Sequence, residues 1–364
     1  MFTITGVRVF DGSASTDAPV LTDVHVSGGR IVATPPPGAE VVEGRGRTLL
    51  PGLIDTHVHV ERRAELAELA RWGVTTALDM GSPRPAATLP LRHLDGVADL
   101  FSAVYPAVAP GSATIRQMGY PAHIAVPGAA DAQAWVDARI AEGADYIKIA
   151  VEDPRQPGTT GLSPATVTAL VEAAHARGLL TVAHAVTAAT HRIASVADVV
   201  THVPIQAVAS GARVVSPTLT MMRGICDTVG RRFALRALAA LRIAPRMDFA
   251  HALGSVRRLH AEGATVLAGT DSNSDGTAPF SPAFGTSMHQ ELRLLVDAGL
   301  SPVEALRAAT SVPAKVFGLD DRGVVAPGKR ADLLLVDGDP TTDIHSTVRI
   351  AHVWTAGVTA FRSM

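Results

Sequence analysis

The sequence predicts an α/β fold: a (β/α)8 TIM-type barrel with a small flanking β-sandwich built from both chain termini. Three observations lead there. Strand and helix signals alternate from residue 53 onward and yield eight strands; both ends of the 364-residue chain hold short strands joined by tight turns; and histidine, lysine and aspartate cluster at the strand ends. The expected division is residues 1–50 with 320–364 for the sandwich and 51–319 for the barrel.

The first ten residues alternate like a strand, and turn signals at Asp11-Gly12, Gly28-Gly29 and Pro35-Pro36-Pro37-Gly38 cut the rest of the N-terminal segment into short pieces. After Pro51-Gly52 an apolar strand runs to His59. A helix over Arg63–Trp72 is stopped by Gly73, and the strand Val74–Met80 follows at once. Further strands are expected over Asp99–Val108, Tyr146–Val151, Leu179–His184, Ala197–Val203, Arg213–Leu219 and Thr265–Thr270. Helices are expected over Asp131–Glu142, from the Ser163-Pro164 cap to Arg177, and through a long region reaching His260, whereas Ala109–Ala130 has the Pro/Gly content of a loop. Helices at Met288–Ala298 and Ser301–Thr310 lead into the turn and strand Gly323–Val336, with more strand near residues 348–361.

A net charge of -2 gives no reason to expect a nucleic acid or an anionic membrane as partner. The single cysteine, Cys226, excludes an internal disulfide and a multi-cysteine zinc site. The N-terminus shows neither a basic leader nor a long apolar segment, and no run approaches the roughly 20 apolar residues of a membrane span. A cytoplasmic protein acting on a small molecule is the expectation, with self-association as a homo-oligomer left open.

Alternate residues of a strand share a face, so His57 and His59 stand on one side, about 7 Å apart at their Cα atoms. Two neutral imidazoles placed so can clamp one metal ion; a solvated strand face is the plainer alternative. Barrel chemistry sits at the C-terminal strand ends, and there the sequence places His57, His59, Lys148, His184, His202 and Asp271. Lys148 is one of only three lysines and lies between isoleucines in an interior strand, where burial disfavours an ammonium. A neutral amine reacts with carbon dioxide to give a carbamate, an anionic group able to bridge two metals. The other reading is a lysine that reaches the rim to bind substrate or a carboxylate.

Several segments together resemble the amidohydrolase superfamily, in particular its imidazolonepropionase-like and Xaa-Pro-dipeptidase-like metal-dependent hydrolases. They are Pro51–His59, Gly73–Thr76 with Asp79-Met80-Gly81, Gly269-Thr270-Asp271, His289–Leu292 with Ala298–Leu306 and Ala308–Thr310, and Gly323–Leu333. The resemblance implies that His57, His59 and Asp271 hold a more buried metal and that His184 and His202 hold a more exposed one. It also implies that Lys148, N6-carboxylated, bridges the two ions together with a hydroxide. Two divalent metals are the expected cofactors, zinc first given the histidine-rich ligation, with Mn, Fe, Co or Ni left open. The imidazolonepropionase branch lacks this lysine, so Lys148 favours the two-metal branch. Deaminase branches carry a glutamate three residues after the fifth-strand histidine; Thr187 stands there and counts against a nucleobase deaminase.

The expected reaction is hydrolysis of an amide, cyclic amide or lactone, with Asp271 taking the proton of the attacking hydroxide and passing it to the leaving group. A phosphotriesterase-type esterase and a non-catalytic scaffold on the same fold are the alternatives. Candidate substrate contacts are Tyr105, Arg116, Met118, Tyr120 and His123 in one loop, Arg155, the Met221–Arg223 segment, and Ser272 and Asn273. An arginine among them that binds a substrate carboxylate would make the activity peptidase-like. The short connection at Glu61 argues against a large capped pocket. The remaining histidines are expected on the surface or in packing, with His289 near the rim.

Overall fold

The computed structural model describes residues 1–13, 21–155, 159–228, 247–274, 276 and 280–363. Both ends of the chain build one mixed sheet, in which β1 (Phe2–Val9), β2 (Leu21–Ser27), β3 (Arg30–Val32), β4 (Glu40–Glu43) and β5 (Arg47–Pro51) join three C-terminal strands. The junction is antiparallel: β5 lies against residues Leu333–Asp337, pairing Leu50 with Leu334 and Thr48 with Val336. This sheet has its own apolar core, in which the rings of Phe2 and Trp354 stack 4.7 Å apart.

Gly52 carries the chain from that sheet into the barrel. A Cβ at this position would fall 2.1 Å from Thr75 Oγ1, so only glycine lets the two strands approach so closely. Beyond it run β6 (Leu53–Val58), helix α1 (Arg63–Arg71) and β7 (Val74–Asp79), every strand residue buried, as a strand covered on both faces requires.

The third barrel strand is interrupted. In place of one run over Asp99–Val108 the chain forms β8 (Asp99–Ser102) and β9 (Pro106–Ala107), because Val104 adopts a left-handed φ of 64° and turns the backbone between them. The expected loop that follows contains a short helix, α3 (Ala113–Gln117), after the smaller α2 (Pro85–Thr88), with Ser112 capping α3. Then come α4 (Ala132–Ala141), β10 (Ile147–Ala150), α5 (Pro164–His175), β11 (Thr181–His184), α6 (Ala188–Ala194), β12 (Val199–Thr201), β13 (Val214–Ser216) and α7 (Leu219–Thr228). The long helical region expected before His260 is described as α7 and α8 (Phe249–Ala261); its residues 229–246 lie outside the described ones. Strand β14 (Thr265–Val266) is shorter than its apolar run suggests. The chain continues through α9 (Thr286–Asp297), α10 (Pro302–Ala308), α11 (Ser311–Val316), β15 (Leu333–Asp337), β16 (Ile350–Thr355) and β17 (Val358–Arg362).

The parallel strands fall into a three-stranded sheet, β6-β7-β8, and a six-stranded sheet, β9 to β14 in sequence order. Counting β8 and β9 as one interrupted strand, eight positions follow the expected order. The ladder does not close into a continuous ring. Between β14 and β6 the link is an isolated parallel bridge, Val58 to Ser272, and single backbone bonds such as Thr56 N to Ala268 O at 3.1 Å. Among the described residues no helix is long and apolar enough to cross a membrane.

Candidate metal centre

The seam between β6 and the segment after β14 builds the centre of the site. Asp271 N donates to His57 O at 2.8 Å and His59 N donates to Ser272 O at 2.8 Å, so the two segments are locked in register. Asp271, at φ 61°, swings its carboxylate over the histidine pair: Oδ1 lies 3.4 Å from His57 Nε2 and 3.3 Å from His59 Nε2, and Oδ2 lies 3.9 Å from His202 Nδ1. One ligand atom each from His57, His59 and Asp271 fall within 4.8 Å of one another.

The other strand-end residues surround this triad. The rings of His57 and His202 are 4.8 Å apart at their centroids, and those of His184 and His202 are 4.5 Å apart. Lys148 is buried on β10 and its Nζ donates to Thr201 Oγ1 at 3.0 Å. All six line one cavity of about 510 Å³.

Groups behind the histidines set their orientation. His59 Nδ1 bonds to Gly81 O at 2.9 Å, which leaves Nε2 facing Asp271. Gly81 sits at φ 108°, and its carbonyl also accepts the Tyr120 hydroxyl at 2.9 Å. His202 Nδ1 bonds to Thr218 Oγ1 at 2.7 Å, and its carbonyl bonds to His191 Nε2 at 2.9 Å. His191 thus sits against the site, a part that its place on an ordinary helix did not signal. His289, near the rim in sequence, is buried and bonded to Trp72 O at 3.0 Å, a packing role.

Burial lowers the pKa of His57 and His202 well below the usual imidazole value and that of His184 to about 3, so all three are neutral, with lone pairs available. Burial also acts on His59, but the hydrogen bond and charge of Asp271, backed by Asp79, outweigh it and raise that group to about 9. In the isolated protein a proton on His59 therefore compensates Asp271, where a bound cation would do the same. Neutral imidazoles, a carboxylate and a buried amine in one cluster fit divalent metal, and the buried His57 Nδ1 has no partner among the described residues. Desolvation lowers Lys148 from 10.5 to about 7, against the opposing pull of Asp271 and Asp79.

Of the candidate substrate contacts, Met118, Tyr120, Met221, Met222 and Asn273 line the cavity. Tyr105, Arg116, His123 and Arg155 do not. Tyr105 is covered by the Arg139 guanidinium, 5.3 Å from its ring, and the exposed His123 packs edge-on against that ring. Arg116 is on the exposed side of α3, and the Arg155 guanidinium is forked onto Asp153 at 2.9 and 2.6 Å. Ser272, bonded to Thr270, and Arg223, paired with Asp227 at 3.2 Å, also lie off the lining. Met80, Thr114 and Glu152, none of them expected as a substrate contact, also line the cavity. For Glu152 the available signal was its place two residues past the strand of Lys148.

Comparison with known proteins agrees with this architecture. An imidazolonepropionase from Deinococcus deserti is 39% identical over 104 residues, 28% of this chain and 25% of that protein. An adenine deaminase from Nitratidesulfovibrio vulgaris is 27% identical over 311 residues, covering 81% of this chain and 48% of its own length. The chain thus spans less than half of either curated relative. The crystal structure of a Xaa-Pro dipeptidase with methionine bound in its active site superposes over 100% of both chains with a TM-score of 0.82 at 21% identity, a likeness of fold. The Amidohydrolase family matches residues 48–360, most of the sequence, and the chain belongs to that family.

Proposed function

We propose that the protein is a metal-dependent hydrolase that cleaves an amide, cyclic amide or lactone bond. The observation that carries this is the convergence of His57, His59 and Asp271 within 4.8 Å at the strand ends, on a cavity shared with Lys148, His184 and His202. In this reading His57, His59 and Asp271 would hold one ion and His184 and His202 a second, with a carboxylated Lys148 as a further anionic ligand. Zinc is the first choice for such a donor set. Bound divalent metal supplies Lewis acidity and ionises water near neutral pH.

The protein's own groups do the rest. Asp271, poised over both histidine Nε2 atoms, accepts the proton released on attack and returns it to the leaving nitrogen or oxygen. The pKa of Lys148 near 7 keeps a reactive fraction of neutral amine at physiological pH, which carboxylation requires. At the position of a deaminase glutamate, Thr187 caps α6 and donates to Asp153 Oδ2 at 3.0 Å, so hydrolysis is favoured over nucleobase deamination.

The test is metal analysis of the purified protein, followed by assay of amides, lactones and phosphotriesters before and after chelation. Amide or lactone turnover lost on chelation and restored by zinc or manganese is expected. Full turnover by metal-free protein, or turnover of phosphotriesters alone, would overturn the proposal.

A further inference from the structure

We infer that Glu152 selects substrates carrying a cationic nitrogen, an inference that rests on the hydrolase reading of the same cavity. Glu152 lies just past β10, four residues after Lys148, and lines the cavity with it. Its Oε1 accepts the hydroxyl of Thr114 at 3.1 Å, and Thr114 is a buried residue of α3 that lines the same cavity. Its other oxygen, Oε2, is buried with no hydrogen-bond partner among the described residues. One end of the carboxylate is anchored, and the other lacks a donor among the described residues.

A buried carboxylate oxygen without a donor is costly, and a charged donor relieves that cost better than a neutral one. Among the described lining residues the single lysine or arginine is Lys148, whose Nζ is bonded to Thr201. Arg116 and Arg155, the nearby cations that could have read a carboxylate tail, lie off the cavity. A substrate carboxylate near Glu152 would be repelled; an ammonium or guanidinium would be held. The same cavity is also lined by Met118, Met221, Met222 and Ile225, which are apolar and adaptable. The matching substrate has an apolar body bearing a cationic nitrogen.

Calorimetric titration of the metal-loaded full chain with benzylammonium, benzyl alcohol and phenylacetate tests this without turnover. The wild type is expected to bind benzylammonium about tenfold more tightly than benzyl alcohol, with phenylacetate weakest, and Glu152→Gln to bring the first two within about twofold. Thr114→Val, which removes the anchor, should reduce the preference and serves if Glu152→Gln does not fold. Equal or undetectable binding of the three probes by wild type, or a preference that survives both substitutions, overturns the inference. A Glu152-dependent preference in a protein that hydrolyses nothing would overturn the hydrolase reading alone.

Discussion

The Asp55 carboxylate holds Thr270, accepting its amide at Oδ1 at 3.0 Å and its hydroxyl at Oδ2 at 2.6 Å. The same Oδ1 accepts the His57 amide at 3.1 Å. One fully buried side chain, its pKa raised by burial to about 7, therefore fixes the backbone beside Asp271 and that of the first histidine. Asp55→Ala would leave these donors unsatisfied at a cost of about 1–3 kcal/mol for each buried group. A lower melting temperature and weaker metal retention are expected, read by calorimetry and metal analysis. A variant matching wild type in both would remove Asp55 from this role.

Lys148 makes stability depend on pH. Its folded pKa of about 7 lies below the ordinary 10.5, so the unfolded chain binds a proton that the folded chain has released between those values. Stability of the metal-free, bicarbonate-free protein should therefore rise with pH across that window, by at most about 1.4 kcal/mol per pH unit, and the gain is lost as pH falls through 7. Urea midpoints at pH 7 and pH 9 for wild type and Lys148→Met give the check. The advantage of wild type should grow at the higher pH; an unchanged difference would contradict the assignment.

Glu291 ties α9 to the cavity wall. Its two oxygens accept Leu219 N at 2.8 Å and Thr220 N at 2.7 Å, at the start of α7, and Oε2 also takes the Thr220 hydroxyl at 2.9 Å. Glu291→Gln puts an NH2 group where an acceptor is needed. A loss of about 1–3 kcal/mol is expected. Because Met221 and Met222 follow on that helix, KM should rise more than kcat falls. Steady-state kinetics beside thermal melting would reveal a different split.

Gly81→Ala tests the shared carbonyl. At φ 108° an added Cβ lies 3.0 Å from Pro106 Cδ, in a conformation that side chains rarely adopt. Destabilisation beyond about 1 kcal/mol is expected, with weaker metal affinity as the bonds from His59 and Tyr120 shift. Isothermal metal titration measures the second effect, and an unchanged affinity would show that Gly81 O does not orient His59.

The sequence by itself determined the order of the elements and which strand ends carry ligand-type side chains. Apolar runs, Gly and Pro breaks and the period of a strand are local properties, and the isolation of Lys148 between isoleucines is visible in five residues. Tertiary structure alone decided the break at Val104, the direction of the loop residues and the network behind the histidines. Tyr105, Arg116, His123 and Arg155 were plausible contacts by residue type, but their side chains answer to partners and backbone turns that no local pattern encodes. Asp55 meets Thr270 across 215 residues, and Glu152 is anchored by Thr114, 38 residues earlier. Hydrogen bonds of that span depend on how the strands pack, so their existence is a property of the assembled barrel.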